Sequence, residues 1–141
     1  MSIYAVLTGL SVAVLVVYLG NKWKLERKPW MYPLLLASFP VYYWVFGLYA
    51  MDYDAFIQEF LIGLAFLAWA LLAFRLSTIT GGLVLAMGFI AHGLYDIVHN
   101  SFFINDGAPI WWAEFCGVID VFIGCYLVYF SLRIEPSSPE I

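Results

Sequence analysis

Five long apolar runs, separated by short connectors that carry more than half of the charged residues, constrain this chain more than any other feature. In hydrocarbon every backbone N–H and C=O must be satisfied within the protein, which leaves only helices and closed barrels as spanning structures. Runs of about 18–22 residues match the roughly 30 Å hydrocarbon core when coiled as helices. They cover about residues 3–20, 31–50, 55–74, 79–100 and 111–132. Of the 141 residues, 65% are hydrophobic and 11% charged, the latter about half the share of an ordinary soluble domain. The expected fold is all-α: an integral membrane up-and-down bundle of about five transmembrane helices in a single domain, residues 1–132, followed by a flexible cytoplasmic tail, 133–141. The first run lacks a positive leading segment and its basic residues follow it, so it reads as a retained span rather than a signal peptide. Pro40, inside the second run, is expected to kink that helix.

The basic residues orient the bundle. Lys22, Lys24, Arg27 and Lys28 lie in the first connector, Arg75 in the third and Arg133 just after the last span. All fall on one side, which by the positive-inside rule is cytoplasmic and leaves the N-terminus outside. Trp23, Trp30, Trp111 and Trp112 fall at the predicted interfaces, as belt residues do. The net charge of −4 and the lack of a basic stripe exclude a nucleic-acid partner. Cys116 and Cys125 are nine residues apart in one predicted helix and point to nearly opposite sides, so they cannot form a disulfide with each other.

Against this background the segment His92-Gly93-Leu94-Tyr95-Asp96-Ile97-Val98-His99 stands out, because it holds both histidines of the protein and an aspartate inside a span. Spacings of four and three place His92, Asp96 and His99 on one helix face. Ionisable groups at membrane depth are costly and mark function by default. At 1.5 Å per residue Asp96 lies about 6 Å and His92 about 12 Å below the outer surface. Asp120 on the fifth span reaches the depth of His92, Glu59 on the third reaches that of Asp96, and Glu114 enters with the fifth. Gly81 and Gly88 continue the histidine stripe, Gly117 and Gly124 flank Asp120, and Gly63 follows Glu59, the small residues expected at buried helix contacts in membranes.

Two imidazoles and several carboxylates suit Zn, Fe or Mn as a divalent ion. The expected metal ligands are His92, Asp96, His99 and Asp120, with Glu59 or Glu114 as acid/base or additional ligand. An open coordination position would hold an activated water near the headgroups, so the leading expectation is a metal-dependent membrane hydrolase or transferase with a lipid-like substrate. Two other roles use the same groups: a proton or ion relay, and a structural accessory subunit held by interhelical hydrogen bonds such as His92 to Asp120. A relay would need polar residues reaching the cytoplasmic face, where only Ser and Thr such as Ser38 and Thr80 occur. No haem is expected, because His92 and His99 share a helix and cannot clamp one iron, and no nucleotide. Compatible partners are membrane lipid, a lipid-like substrate and a second copy of the chain. Tyr42, Tyr43, Trp44 and Tyr49 are explained as well by packing as by a substrate groove.

The segments 91–99 and 109–120 together read H-x3-D-x2-H at the end of one span and aromatic-x2-F-C-x3-D at the start of the next. This pair resembles a pattern in small uncharacterised bacterial multi-pass membrane proteins, over roughly the last third of the chain. The resemblance implies a bacterial inner-membrane location and no particular chemistry. The His92-Gly93-x-x-Asp96 element also resembles one in membrane carotene-cleaving dioxygenases, which are longer and carry more histidines.

Overall fold

The computed structural model describes residues 2–102 and 104–133, apart from the side chains of Arg27 and Thr78. Five helices fill it: α1 (Ile3–Lys22), α2 (Met31–Tyr49), α3 (Tyr53–Arg75), α4 (Thr78–Phe102) and α5 (Trp112–Arg133). All five are long and apolar enough to cross a membrane, so the chain is a multi-pass membrane protein. The expected spans agree to within two residues at each end. The expected tail lies outside the described residues, except for Arg133, which ends α5. Local chemistry sets the helix starts. The Ser2 hydroxyl and the Asp52 carboxylate accept from the N–H of Ala5 and Ala55 respectively, satisfying donors that an open helix end leaves free. The basic connector holds a 3-10 turn, Leu25–Arg27, entered through Lys24 at φ 54°. Helix α2 runs on through Pro40, whose ring packs where α3 offers Gly63.

The packing order differs from the chain order. Helix α4 packs on α3 and α5, α2 on α3 and lightly on α4, and α1 on α5, with α2 reaching α1 through a side chain, Tyr32 at Gly20. Since α1 and α5 are both odd-numbered spans, they run parallel, and their ends agree: Ser2 N–H donates to Glu114 at one end, and Tyr126 of α5 meets Glu26 just beyond α1 at the other. A Cβ on Gly9 would sit 2.6 Å from the Phe115 carbonyl oxygen, so glycine is what lets these two backbones meet.

Leu36, Ala86, Phe89, Ile119, Ile123 and Leu127 form the central packing. Leu7, Val14, Leu61, Leu71 and Met87 face outward and are exposed, as lipid-facing residues are. The N-terminus, the α2–α3 turn and the α4–α5 loop share one end of the bundle. The basic connector, Arg75 and Arg133 share the other, called the basic end below. The α4–α5 loop folds inward over α2. Asn105 opens a turn closed by Ala108 N–H on the Asn105 carbonyl, and its side chain donates to the Tyr43 carbonyl oxygen at 3.2 Å. Gly107 is required there, because a Cβ would run into the Phe46 carbonyl.

Candidate metal centre

The most extensive helix contact, between α4 and α5, carries the site. Where α4 crosses α5, a Cβ on Gly93 would lie 2.8 Å from the Gly117 carbonyl oxygen, and one on Gly117 would lie 3.0 Å from the Gly93 carbonyl oxygen. Two turns away, Gly124 faces the Ala86 carbonyl in the same manner. Small residues on both helices let the backbones touch, and so the short side chains Asp96 and Asp120 meet His92 across the contact.

His92 Nδ1 is hydrogen-bonded to Asp120 Oδ2 at 2.6 Å and lies 3.6 Å from Asp96 Oδ2. Asp96 Oδ1 accepts from the Tyr43 hydroxyl at 2.9 Å, the arm that α2 contributes. All three ionisable residues are at most 1% exposed, and the His92 ring is wedged between Phe39 and Phe66. One ligand atom from each of His92, Asp96 and Asp120 lies within 4.8 Å of the others, a group that could hold a metal ion. Asp96 Oδ2 and Asp120 Oδ1 are buried without a hydrogen-bond donor. Buried carboxylate oxygens are normally satisfied, so these two are free to accept a cation. Asp96 lies about 9 Å, Asp120 about 12 Å and His92 about 15 Å along their helices from the end of the bundle that holds the N-terminus.

The remaining candidates are placed differently. His99 Nε2 pairs with Glu59 Oε1 of α3 at 2.5 Å, and its Nδ1 lies 3.0 Å from Asn100 Oδ1. Glu59 Oε2 accepts from the Tyr95 hydroxyl at 2.8 Å. His99 and Glu59 therefore form a second buried cluster beside the first, and His99 is not among the three residues whose ligand atoms converge. Its ring stacks on Tyr43, with centroids 4.6 Å apart, so Tyr43 touches both clusters. Glu114 belongs to neither: it sits half-buried at the start of α5, accepting from the Ser2 N–H at 3.0 Å. Cys116 is buried and Cys125 exposed, both as free thiols. Of the predicted glycines, Gly117 and Gly124 do line the α4–α5 contact. Gly81 instead faces the Ala73 carbonyl of α3, Gly88 faces Leu36 and Trp69, and Gly63 faces Pro40 and Trp44.

A cavity of about 320 Å³ opens between the end of α4 and the following loop, with Tyr43, His99, Asn100, Asn105 and Ala113 in its wall. It stops at Tyr43 and His99, one residue short of Asp96 and Glu59. Toward the basic end, the packing below His92 is apolar: Phe89, Ala86, Ile123 and Leu127 are all buried. Sequence reasoning missed Tyr95 and Asn105 as site residues and left Tyr43 open between packing and a substrate groove. Tyr43 had a readable signal, since it falls on the stripe Tyr32, Leu36, Pro40, Tyr43, Gly47 that α2 buries, and a tyrosine inside a span needs a partner for its hydroxyl.

No family model, curated protein or solved structure matches the chain.

Proposed function

We propose that the protein is a metal-dependent membrane enzyme of the hydrolase or transferase type, acting on a lipid-like substrate at the end of the bundle opposite its basic residues, the outer leaflet of a bacterial inner membrane. The observation that carries this is the meeting of His92, Asp96 and Asp120 within 4.8 Å with two carboxylate oxygens left undonated. One imidazole and two carboxylates suit Zn²⁺, Fe²⁺ or Mn²⁺. Three protein ligands also leave a four-coordinate ion one position short, as catalytic sites do. In this role His92, Asp96 and Asp120 would hold the ion, which would supply Lewis acidity, while Tyr43 orients Asp96 and stands between it and the cavity. His99, on the cavity wall with its ring held by Glu59, would take a proton from an attacking water and return it to the leaving group, an assignment that takes His99 out of the ligand set. Glu114 keeps a structural part, tying α5 to the start of the chain.

A relay across the membrane is the weaker use of these groups, because two turns of buried apolar side chains separate His92 from the basic end. The test is elemental analysis of detergent-purified protein beside His92→Ala and Asp96→Ala. About one equivalent of Zn, Fe or Mn, lost in both variants with helicity retained, is expected and would open a screen of lipid esters. A wild-type protein that stays metal-free after incubation with each ion would overturn the proposal.

A further inference from the structure

A second polar cluster lies at the basic end, far from the candidate metal centre and independent of it. The Tyr126 hydroxyl donates to Glu26 Oε1 at 2.8 Å, joining α5 to the first connector. The Tyr32 hydroxyl reaches the same spot: a Cβ on Gly20 would lie 2.8 Å from the Tyr32 oxygen and 3.2 Å from Glu26 Oε1. Tyr32 is only 5% exposed, yet its hydroxyl has no hydrogen-bond partner, which is uncommon for a buried polar group. Tyr32 lines a cavity of about 290 Å³, room for roughly ten waters at about 30 Å³ each, so a single bridging water would not fill it.

The chemistry of the wall is divided. Pro33, Leu85, Leu127 and Phe130 supply an apolar side, whereas among the described side chains half-buried Glu26 and exposed Lys28 bring one charge of each sign. Ser131, 2% exposed, adds a further hydroxyl. The cavity sits where α2 begins and α5 ends, the level at which phospholipid headgroups lie. A purely anionic headgroup would meet the Glu26 carboxylate, and a purely cationic one would meet Lys28. We infer that this cavity binds the head of a zwitterionic phospholipid, with its ammonium on Glu26, its phosphate on Lys28 and the Tyr32 hydroxyl, and its chains leaving along the apolar wall.

Native mass spectrometry of the detergent-solubilised full chain tests this with three probes: a short-chain phosphatidylethanolamine, the matching phosphatidylglycerol, and free phosphoethanolamine. One saturable phosphatidylethanolamine adduct is expected, held at least fivefold more tightly than phosphatidylglycerol. Tyr32→Phe removes only an oxygen that has no partner in the protein, so the fold should persist. It should weaken the adduct by about three- to tenfold, the worth of one hydrogen bond. Glu26→Gln should remove the preference between the two lipids. Equal binding of both lipids by the wild type, or an adduct indifferent to Tyr32→Phe and Glu26→Gln, would overturn the inference. Phosphoethanolamine competing as well as the lipid would also overturn it, pointing to a soluble ligand with the same head.

Discussion

Gly93→Ala tests whether the contact between α4 and α5 is what assembles the candidate metal centre. The added Cβ would stand 2.8 Å from the Gly117 carbonyl oxygen, 2.9 Å from Val121 Cγ2 and 3.0 Å from Asp120 Cβ. Ordinary contact begins near 3.5 Å, so the helices must part by about 0.5 Å at this level. His92 and Asp96 both ride on α4 and move together; Asp120 is the group left behind. Metal–ligand distances hold to within about 0.2 Å, so a displacement of this size removes Asp120 as a ligand. The expected loss of metal affinity is at least about 10–100-fold, the range seen when only an outer partner of a ligand is removed. The general cost of overpacking, about 1–3 kcal/mol, must be separated from this. Gly63→Ala does so, because its Cβ would press equally hard on Trp44 and Pro40, at 2.7 and 2.8 Å, in the α2–α3 contact instead.

The assay is equilibrium metal titration of both variants in the same detergent, alongside thermal unfolding followed by tryptophan fluorescence. Both variants should melt earlier, and only Gly93→Ala should lose metal. If the two lose metal affinity alike, the effect is general loosening of the bundle. If Gly93→Ala keeps its affinity to within twofold, close approach of α4 and α5 is not what builds the site, and the reasoning fails.

Tyr43→Phe removes the donor to Asp96 Oδ1 and should lower metal affinity about 10–100-fold without removing a ligand, measured in the same titration. Glu59→Gln breaks the pairing with His99 and Tyr95; it should cost about 3–5 kcal/mol of stability in chemical unfolding, while metal stoichiometry stays at the wild-type value. A variant that loses the metal would mean the two clusters act as one. Metal affinity should fall steadily as pH drops, because His92, Asp96 and Asp120 must all shed protons to bind; dialysis against buffered metal at several pH values would show this, and an affinity independent of pH would exclude these ligands.

The spans were legible in the sequence because length and apolar composition suffice to specify a membrane helix. Which faces meet was harder to read, and helical geometry explains what was missed. With 3.6 residues per turn, Asp96 is rotated about 40° one way from His92 and His99 about 20° the other way. Gly93 lies about 100° round on the Asp96 side, the side that α5 occupies. Asp96 therefore leans to Asp120, whereas His99 leans to α3 and Glu59. A stripe that looks like one set of ligands in sequence is thus divided between two neighbours. Glu114 is rotated about 120° from Asp120 and so meets the start of α1. That α1 would lie against α5 rather than α2 had no signal in either helix alone, because contacts between distant spans depend on which small residues happen to match, here Gly9 with the backbone at Phe115.

Charge counting favours a cation over a purely structural cluster. Asp96 and Asp120 carry ligand atoms within 4.8 Å of each other, and at an effective dielectric constant near 20 two carboxylates at that distance repel by about 3.5 kcal/mol. A protonated His92 neutralises one of them and leaves the other without a counter-charge, although both are fully buried. The Glu59–His99 pair beside it has no such excess, since one carboxylate faces one imidazole. A divalent ion held with neutral His92 brings the first cluster to zero charge and uses both undonated oxygens at once. The packing below it toward the basic end is apolar, whereas a cavity reaches Tyr43 and His99 from the opposite end. A cluster short of positive charge, with apolar packing toward one face and a cavity toward the other, supports the proposed chemistry at one membrane surface over passage between two.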